Sequence, residues 1–232
     1  KDLNFLGDKM TDHDKKIIFF HFVKTAGSSI ERYFGASEHG ETRFSLHDEK
    51  NKKIITTREY HHMSTRDYVF MNGIDIFEEY FTFSICRNPY DWFVSHFFWD
   101  IEKYYDAKRK NSKPKERRKF IVEECNSDFN VYLKKATDRA LSNPNYPFKW
   151  PSMKEFMAGV NFVGRFENLQ EDFDVACEKM GVPSGKLPHA KKGKSRPHYS
   201  KFYNEKSVDI VYNLLREDID HFGYSFERKE DG

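Results

Sequence analysis

Lys16 to Phe34 reads KIIFFHFVKTAGSSIERYF. Ile17 to Phe20 is a short apolar run of the kind that fills a strand buried in a parallel sheet. The chain then changes character through Val23-Lys24-Thr25-Ala26-Gly27-Ser28-Ser29, and from Ser28 onward Ile30, Tyr33 and Phe34 recur at helical spacing. The pattern is strand, tight loop, helix start. It aims backbone N–H groups and the positive end of a helix dipole at one point, where an anion is stabilised. Lys24 adds a full charge, and Thr25, Ser28 and Ser29 add hydroxyl donors. In the common nucleotide loop GxxxxGK[ST] the lysine closes a glycine-rich arch; here Lys24 leads and Gly27 follows. Standing alone, the stretch reads better as an ordinary turn carrying a solvated lysine.

A second element changes that balance. Phe81 to Cys86 (FTFSIC) is an apolar, β-prone run, followed by Arg87-Asn88-Pro89-Tyr90. Pro89 suits the first turn of a helix, which the aromatic spacing extends from Tyr90 to Tyr105. Arg87 therefore stands at a strand end, where the ligand crevice of an open α/β sheet lies. Its planar fork matches a phosphate, and Ser95, eight residues on in the helix, offers a hydroxyl to complete the grip. The strand ends Cys-Arg-Asn-Pro without an aspartate, so the carboxylate that a nucleotide kinase or GTPase uses for magnesium is missing at this strand.

Further along, Ile54 to Thr57 reads as a short strand, and Ser64 as the cap of a helix over Thr65–Met71. Gly73 ends that helix, and a short helical piece follows over Ile74–Glu79. Phe120 to Ala136 reads as one helix. Ser152-Met153-Lys154-Glu155 has capping-box form and opens a short helix ending at Gly159. Val160 to Phe166 is a third apolar strand, and Glu167 to Met180 a helix stopped at Gly181. Asn204 caps a last amphipathic helix with Val208, Val211, Tyr212, Leu215, Ile219 and Phe222 on one face. Strands alternating with helices predict an α/β, P-loop-like three-layer fold, a central parallel sheet flanked by helices. The whole of 1–232 reads as a single domain, with a loose N-terminal arm over 1–15 and a variable helical or loop insertion over roughly 100–150.

A chain of 232 residues can bury a sizeable core, and with 23 Phe, 13 Tyr and 3 Trp that core is aromatic-rich. A net charge of +2 argues against general nucleic-acid binding. Cys86, Cys125 and Cys177 are too far apart in sequence for a disulfide framework or a zinc pattern, which points to a reducing compartment and so to the cytoplasm. A Golgi lumen location follows instead if an N-terminal anchor precedes Lys1. No apolar run has membrane-spanning length. Lys108 to Lys119 carries eight basic residues and one acidic; it reads as a solvated loop and helix start, or as a basic rim for an acidic acceptor.

Taken together, Phe20 to Ile30 (FHFVKTAGSSI) and Phe81 to Ser95 (FTFSICRNPYDWFVS) resemble the sulfotransferases that use 3′-phosphoadenosine-5′-phosphosulfate (PAPS). The first is similar to that family's 5′-phosphosulfate loop, with Val23 where the family usually has proline. The second is similar to its 3′-phosphate element, including the Arg-to-Ser spacing. Val163 to Phe173 and His198 to Tyr224 resemble the branch that contains carbohydrate 2-O-sulfotransferases and many bacterial members.

The resemblance implies that Lys24, Thr25, Ala26, Gly27, Ser28 and Ser29 cradle the 5′-phosphosulfate while Arg87 and Ser95 hold the 3′-phosphate. Phe166 stands where relatives place an aromatic beside adenine, with core packing an equal reading. Lys192, Gly193, Lys194 and Arg196 lie where relatives close a basic loop over the cofactor. The implied reaction moves a sulfuryl group in line from PAPS to a hydroxyl, or an amine, of a carbohydrate or small molecule. It leaves 3′-phosphoadenosine 5′-phosphate (PAP) and requires no metal. Lys24 and the loop amides face the charge that grows on the leaving phosphate. His62, just ahead of the capped helix, resembles the family's catalytic base, with His61 second; His21 packs or orients the loop, and His189, His198 and His221 are structural. Two other readings compete: a P-loop kinase-type phosphotransferase, which needs magnesium, and a non-enzymatic binder of anionic polymers using Lys108–Lys119 and Lys186–Arg196.

Overall fold

The computed structural model describes residues 11–13, 15–34, 46–48, 53–55, 62–143, 150–188 and 196–229. In chain order the elements are β1 (Thr11–Asp12), β2 (Ile17–Phe20), α1 (Gly27–Tyr33), β3 (Leu46–Asp48), β4 (Lys53–Ile55), α2 (Thr65–Asn72), α3 (Ile74–Glu79), β5 (Phe81–Cys86), α4 (Pro89–Arg109), α5 (Glu116–Lys119), α6 (Phe129–Ser142), α7 (Met153–Phe156), β6 (Phe162–Arg165), α8 (Leu169–Met180) and α9 (Glu205–Phe222). They group into two compact units: residues 1–87 with 153–194, and residues 88–152 with 195–232.

The first unit is the expected α/β body. Its four-stranded sheet has the order β1-β2-β5-β6, and β2, β5 and β6 run parallel. Alternation along the strands supplies both faces. Ile17 and Phe19 of β2 and Phe83 and Ile85 of β5 bury one face against Ile30 and Phe34 at α1 and Phe173, Ala176 and Cys177 of α8. On the other face, Phe20 meets the ring of Tyr68 on α2 edge-on at 5.4 Å and that of Phe77 on α3 at 6.0 Å. Helices therefore cover both faces, as strands this apolar require.

Several expectations are corrected. Thr11 and Asp12, read as part of a loose arm, form β1, antiparallel to β2, and Thr11 Oγ1 pairs with the Tyr68 hydroxyl at 3.0 Å. The strand read over Ile54–Thr57 is Lys53–Ile55 among the described residues and pairs antiparallel with β3, outside the parallel sheet. The strand read over Val160–Phe166 is shorter, because Phe166 to Asn168 tighten into a 3-10 turn ahead of α8.

In the second unit, Asn88 caps α4 by accepting from the Tyr90 amide at 3.0 Å, and Pro89 takes the first helical position. The continuous helix read over Phe120–Ala136 is broken. A π-helical turn over Phe120–Glu124 runs into Asn126 and Ser127, both at positive φ, and Asp128 then caps α6 by accepting from Val131 N. Asn204 caps α9 as expected, in a reciprocal capping box with Ser207. The face of α9 carrying Val211, Leu215 and Ile219 is buried, whereas Tyr212, read on that face, is 37% exposed.

Candidate active site

The first unit builds its site where β2 runs out into α1. Between them Lys24 and Ala26 both take left-handed backbone angles, with φ of 67° and 65°. For a residue with a Cβ each such angle costs on the order of 1 kcal/mol, so the surroundings must hold the turn. They do so at three points. Thr25, fully buried, donates its hydroxyl to Phe22 O at 2.8 Å. Ser29 N donates to Ala26 O at 2.8 Å. Arg87, arriving from the end of β5, donates from Nη1 to Lys24 O at 2.8 Å.

The Thr25 bond corrects one expectation. Its single hydroxyl proton is committed inside the loop, so only the Thr25 amide remains as a donor for a ligand. Ala26 occupies the N-cap of α1 and brings no side-chain acceptor, and the first turn carries no acidic residue. Both features favour an anion at this end. Ser28 and Ser29 lie half-buried in that turn, and Lys24 is half-buried ahead of it.

Arg87 is held on a second side. Its guanidinium carbon lies 3.9 Å from the centre of the Phe166 ring, within cation–π distance. Phe166 also packs on the core cluster, so the packing role read for it holds and one face of its ring is covered by Arg87. The two elements singled out in the sequence, the lysine-led loop and the strand-end arginine, are thus in direct contact.

Gly27 is required by its neighbour. A Cβ there would lie 2.0 Å from His21 Cδ2 and 2.3 Å from His21 Nε2. His21 is buried and its Nδ1 sits 2.7 Å from Glu31 Oε1, also buried. His62, exposed at the entry to α2, has its Nδ1 2.9 Å from the backbone carbonyl of His21, and the two imidazoles meet edge-on at 4.6 Å. A carbonyl can only accept, so His62 Nδ1 carries a proton, and in the neutral ring Nε2 then holds the lone pair, the form a general base needs.

The remaining candidates are placed elsewhere. Ser95 belongs to the second unit, buried on α4. Arg196 is in the same unit and pairs with Asp91 at 3.3 Å. Lys192, Gly193 and Lys194, and the second-choice base His61, lie outside the described residues. The basic stretch is partly internal: Arg117 and Arg118 bind the buried carboxylate of Asp100 at 2.7 and 3.2 Å. Glu31 was missed by sequence reasoning. The available signal was its place beside Ile30 on the buried side of α1, a poor position for a carboxylate without a partner.

Among the described residues, no three His, Cys, Asp or Glu side chains gather into a metal-binding group, and no helix is long and apolar enough to cross a membrane. The sequence profile of the Sulfotransferase family matches residues 8–225. No curated protein and no solved structure matched the chain.

Proposed function

The chain is thus a member of the sulfotransferase family, and from that premise we propose that it transfers a sulfuryl group from PAPS to a hydroxyl, or an amine, of a carbohydrate or small-molecule acceptor. The observation that carries this reading is the 2.8 Å bond from Arg87 Nη1 to Lys24 O, which joins two anion-gripping elements far apart in sequence. A strand-to-helix turn with a solvated lysine has no need of a buried arginine held against it. The chemistry of the donors suits a nucleotide carrying phosphate at both ends. Lys24 and the amides of Thr25 to Ser29 would hold the 5′ side, and Arg87 the 3′ side.

PAPS, when bound, supplies the sulfuryl group. Lys24 and the amides at the start of α1 would stabilise the negative charge that develops on the departing phosphate oxygen, as fixed donors do in a preorganised site. His62 Nε2 accepts the proton of the acceptor hydroxyl, and its Nδ1–H, held by the His21 carbonyl, keeps the lone pair on the reactive nitrogen. Arg87 adds orientation and charge without moving a proton, since its guanidinium stays protonated.

Calorimetry in EDTA tests this reading. PAP should bind without metal, and Arg87→Ala should weaken PAP about 30-fold, as expected for a charge-assisted bond to phosphate. The same variant should affect the analogue lacking the 3′-phosphate far less. Binding of ATP with magnesium in preference to PAP would overturn the proposal in favour of a phosphotransferase.

A further inference from the structure

We infer that His21 and Glu31 are positioning residues for the base: the buried Glu31–His21 hydrogen bond fixes the ring and carbonyl that hold His62 in its Nδ1–H form. The inference rests on the reading of His62 as the proton acceptor in sulfuryl transfer. It adds a chain of contacts running from α1, through the end of β2, to the residue that opens α2.

The chain begins with a carboxylate. Glu31 Oε1 lies 2.7 Å from His21 Nδ1, and the two residues are 7% and 5% exposed. A buried carboxylate is stabilised by a donor, so His21 carries its proton on Nδ1 and the ring is held at that edge. The opposite edge, Cδ2 and Nε2, fills the space a Cβ on Gly27 would need. With one edge bonded and the other pressed on backbone, rotation of the His21 ring is blocked on both sides.

His62 leans on this fixed group twice. Its Nδ1–H reaches the His21 carbonyl at 2.9 Å, and its ring meets the His21 ring edge-on at 4.6 Å. An imidazole in water is free to carry its proton on either nitrogen; here the carbonyl selects Nδ1 and so places the lone pair on Nε2. Neither His21 nor Glu31 has to touch the reacting atoms for this to matter. Their effect passes through His62, and a shift of about 1 Å in a reacting group can cost about 100-fold in rate.

Glu31→Ala and Glu31→Gln separate positioning from simple packing. Glutamine keeps an oxygen that accepts from His21 Nδ1–H, and alanine removes it. Glu31→Ala should lower kcat about 10- to 100-fold, with PAP affinity held within about 3-fold because Lys24 and Arg87 are untouched. Glu31→Gln should restore kcat to within about 3-fold of wild type. In ¹⁵N–¹H spectra of histidine-labelled protein, the His62 signals, assigned by their loss in His62→Ala, should report Nδ1–H in wild type and Glu31→Gln. They should move toward Nε2–H in Glu31→Ala. If Glu31→Ala does not fold, Glu31→Leu, close in volume and without an acceptor, carries the same comparison.

An unchanged tautomer and rate in the acceptor-less variant would overturn the inference. So would an equal loss in Glu31→Gln, or a fall in PAP affinity that tracks kcat and assigns the pair to the nucleotide cradle instead. Should wild-type protein neither bind PAP nor turn over PAPS, the sulfuryl-transfer reading fails by itself. The tautomer comparison needs no turnover and still decides whether Glu31 governs His62.

Discussion

Each unit of the chain buries a carboxylate against a histidine, and the two are closed off in different ways. In the second unit, Asp100 on α4 meets His96 at 3.4 Å and is clamped by Arg117 at 2.7 Å and Arg118 at 3.2 Å. Burial works against its charge, but the hydrogen bond to His96 and the charges of Arg117 and His96 outweigh it, and the carboxyl is held below its ordinary range. In the first unit, Glu31 meets His21, which passes the contact on to Gly27 and to His62. Asp100 ties α4 to the basic segment around α5; Glu31 ties a helix to a loop and a solvent-facing imidazole. The same pair of residue types serves cohesion in one unit and alignment in the other.

That contrast is open to direct attack. Lys24→Ala should give the largest effect, lowering kcat by about 10³-fold and leaving the melting temperature within about 2 °C of wild type, since a half-buried lysine contributes little to stability. A melting temperature that fell with the rate would make the loop a fixture of packing after all. Asp100→Ala should do the reverse. It strands two guanidiniums, one of them 12% exposed, and should cost about 3 kcal/mol in urea unfolding while the folded fraction keeps its affinity for PAP.

Gly27→Ala should fall between these and affect both properties. The new methyl displaces the His21 ring, costing roughly 1–3 kcal/mol of overpacking, and should lower kcat through His62 more than it weakens PAP. The smallest effect is one of pH. Because the folded-state value of Asp100 lies below its unfolded one, its contribution to stability is complete above about pH 4 and is lost as the pH falls through the depressed value. Melting temperatures at pH 7 and pH 3 should therefore converge in Asp100→Asn relative to wild type, by a few degrees at most.

The sequence carried the parts of this picture that depend on local pattern. Ile17–Phe20, Ile74–Glu79 and Phe81–Cys86 begin and end where the reading placed them: the two strands are β-prone, largely apolar runs, and the helix starts directly after the breaker Gly73. Arg87 and the lysine-led loop were recognisable for the same reason. What depends on pairing across the chain was not legible. Two-residue β1 has too little alternation to show as a strand, and its assignment comes only from its partner. The break at Asn126–Ser127 was signalled by Asn126, a residue type that tolerates left-handed angles, ahead of a good cap in Asp128, yet apolar spacing on both sides masked it. The inward turn of the Thr25 hydroxyl and the bond between His21 and Glu31 depend on three-dimensional closure of the β2–α1 connection. Spacing alone does not report that geometry.

The cation–π contact of Arg87 with Phe166 has a consequence for how tightly an anion can be held. A free arginine side chain samples many rotamers, worth about 2 kcal/mol, and a ligand that captures it must immobilise it first. Here the guanidinium already sits over an aromatic ring, its carbon 3.9 Å from the ring centre, and is tethered to Lys24 O, so its wandering ended when the chain folded. Affinity at this position should accordingly depend weakly on temperature-driven side-chain disorder and strongly on whether the incoming group lies in the plane of the fork.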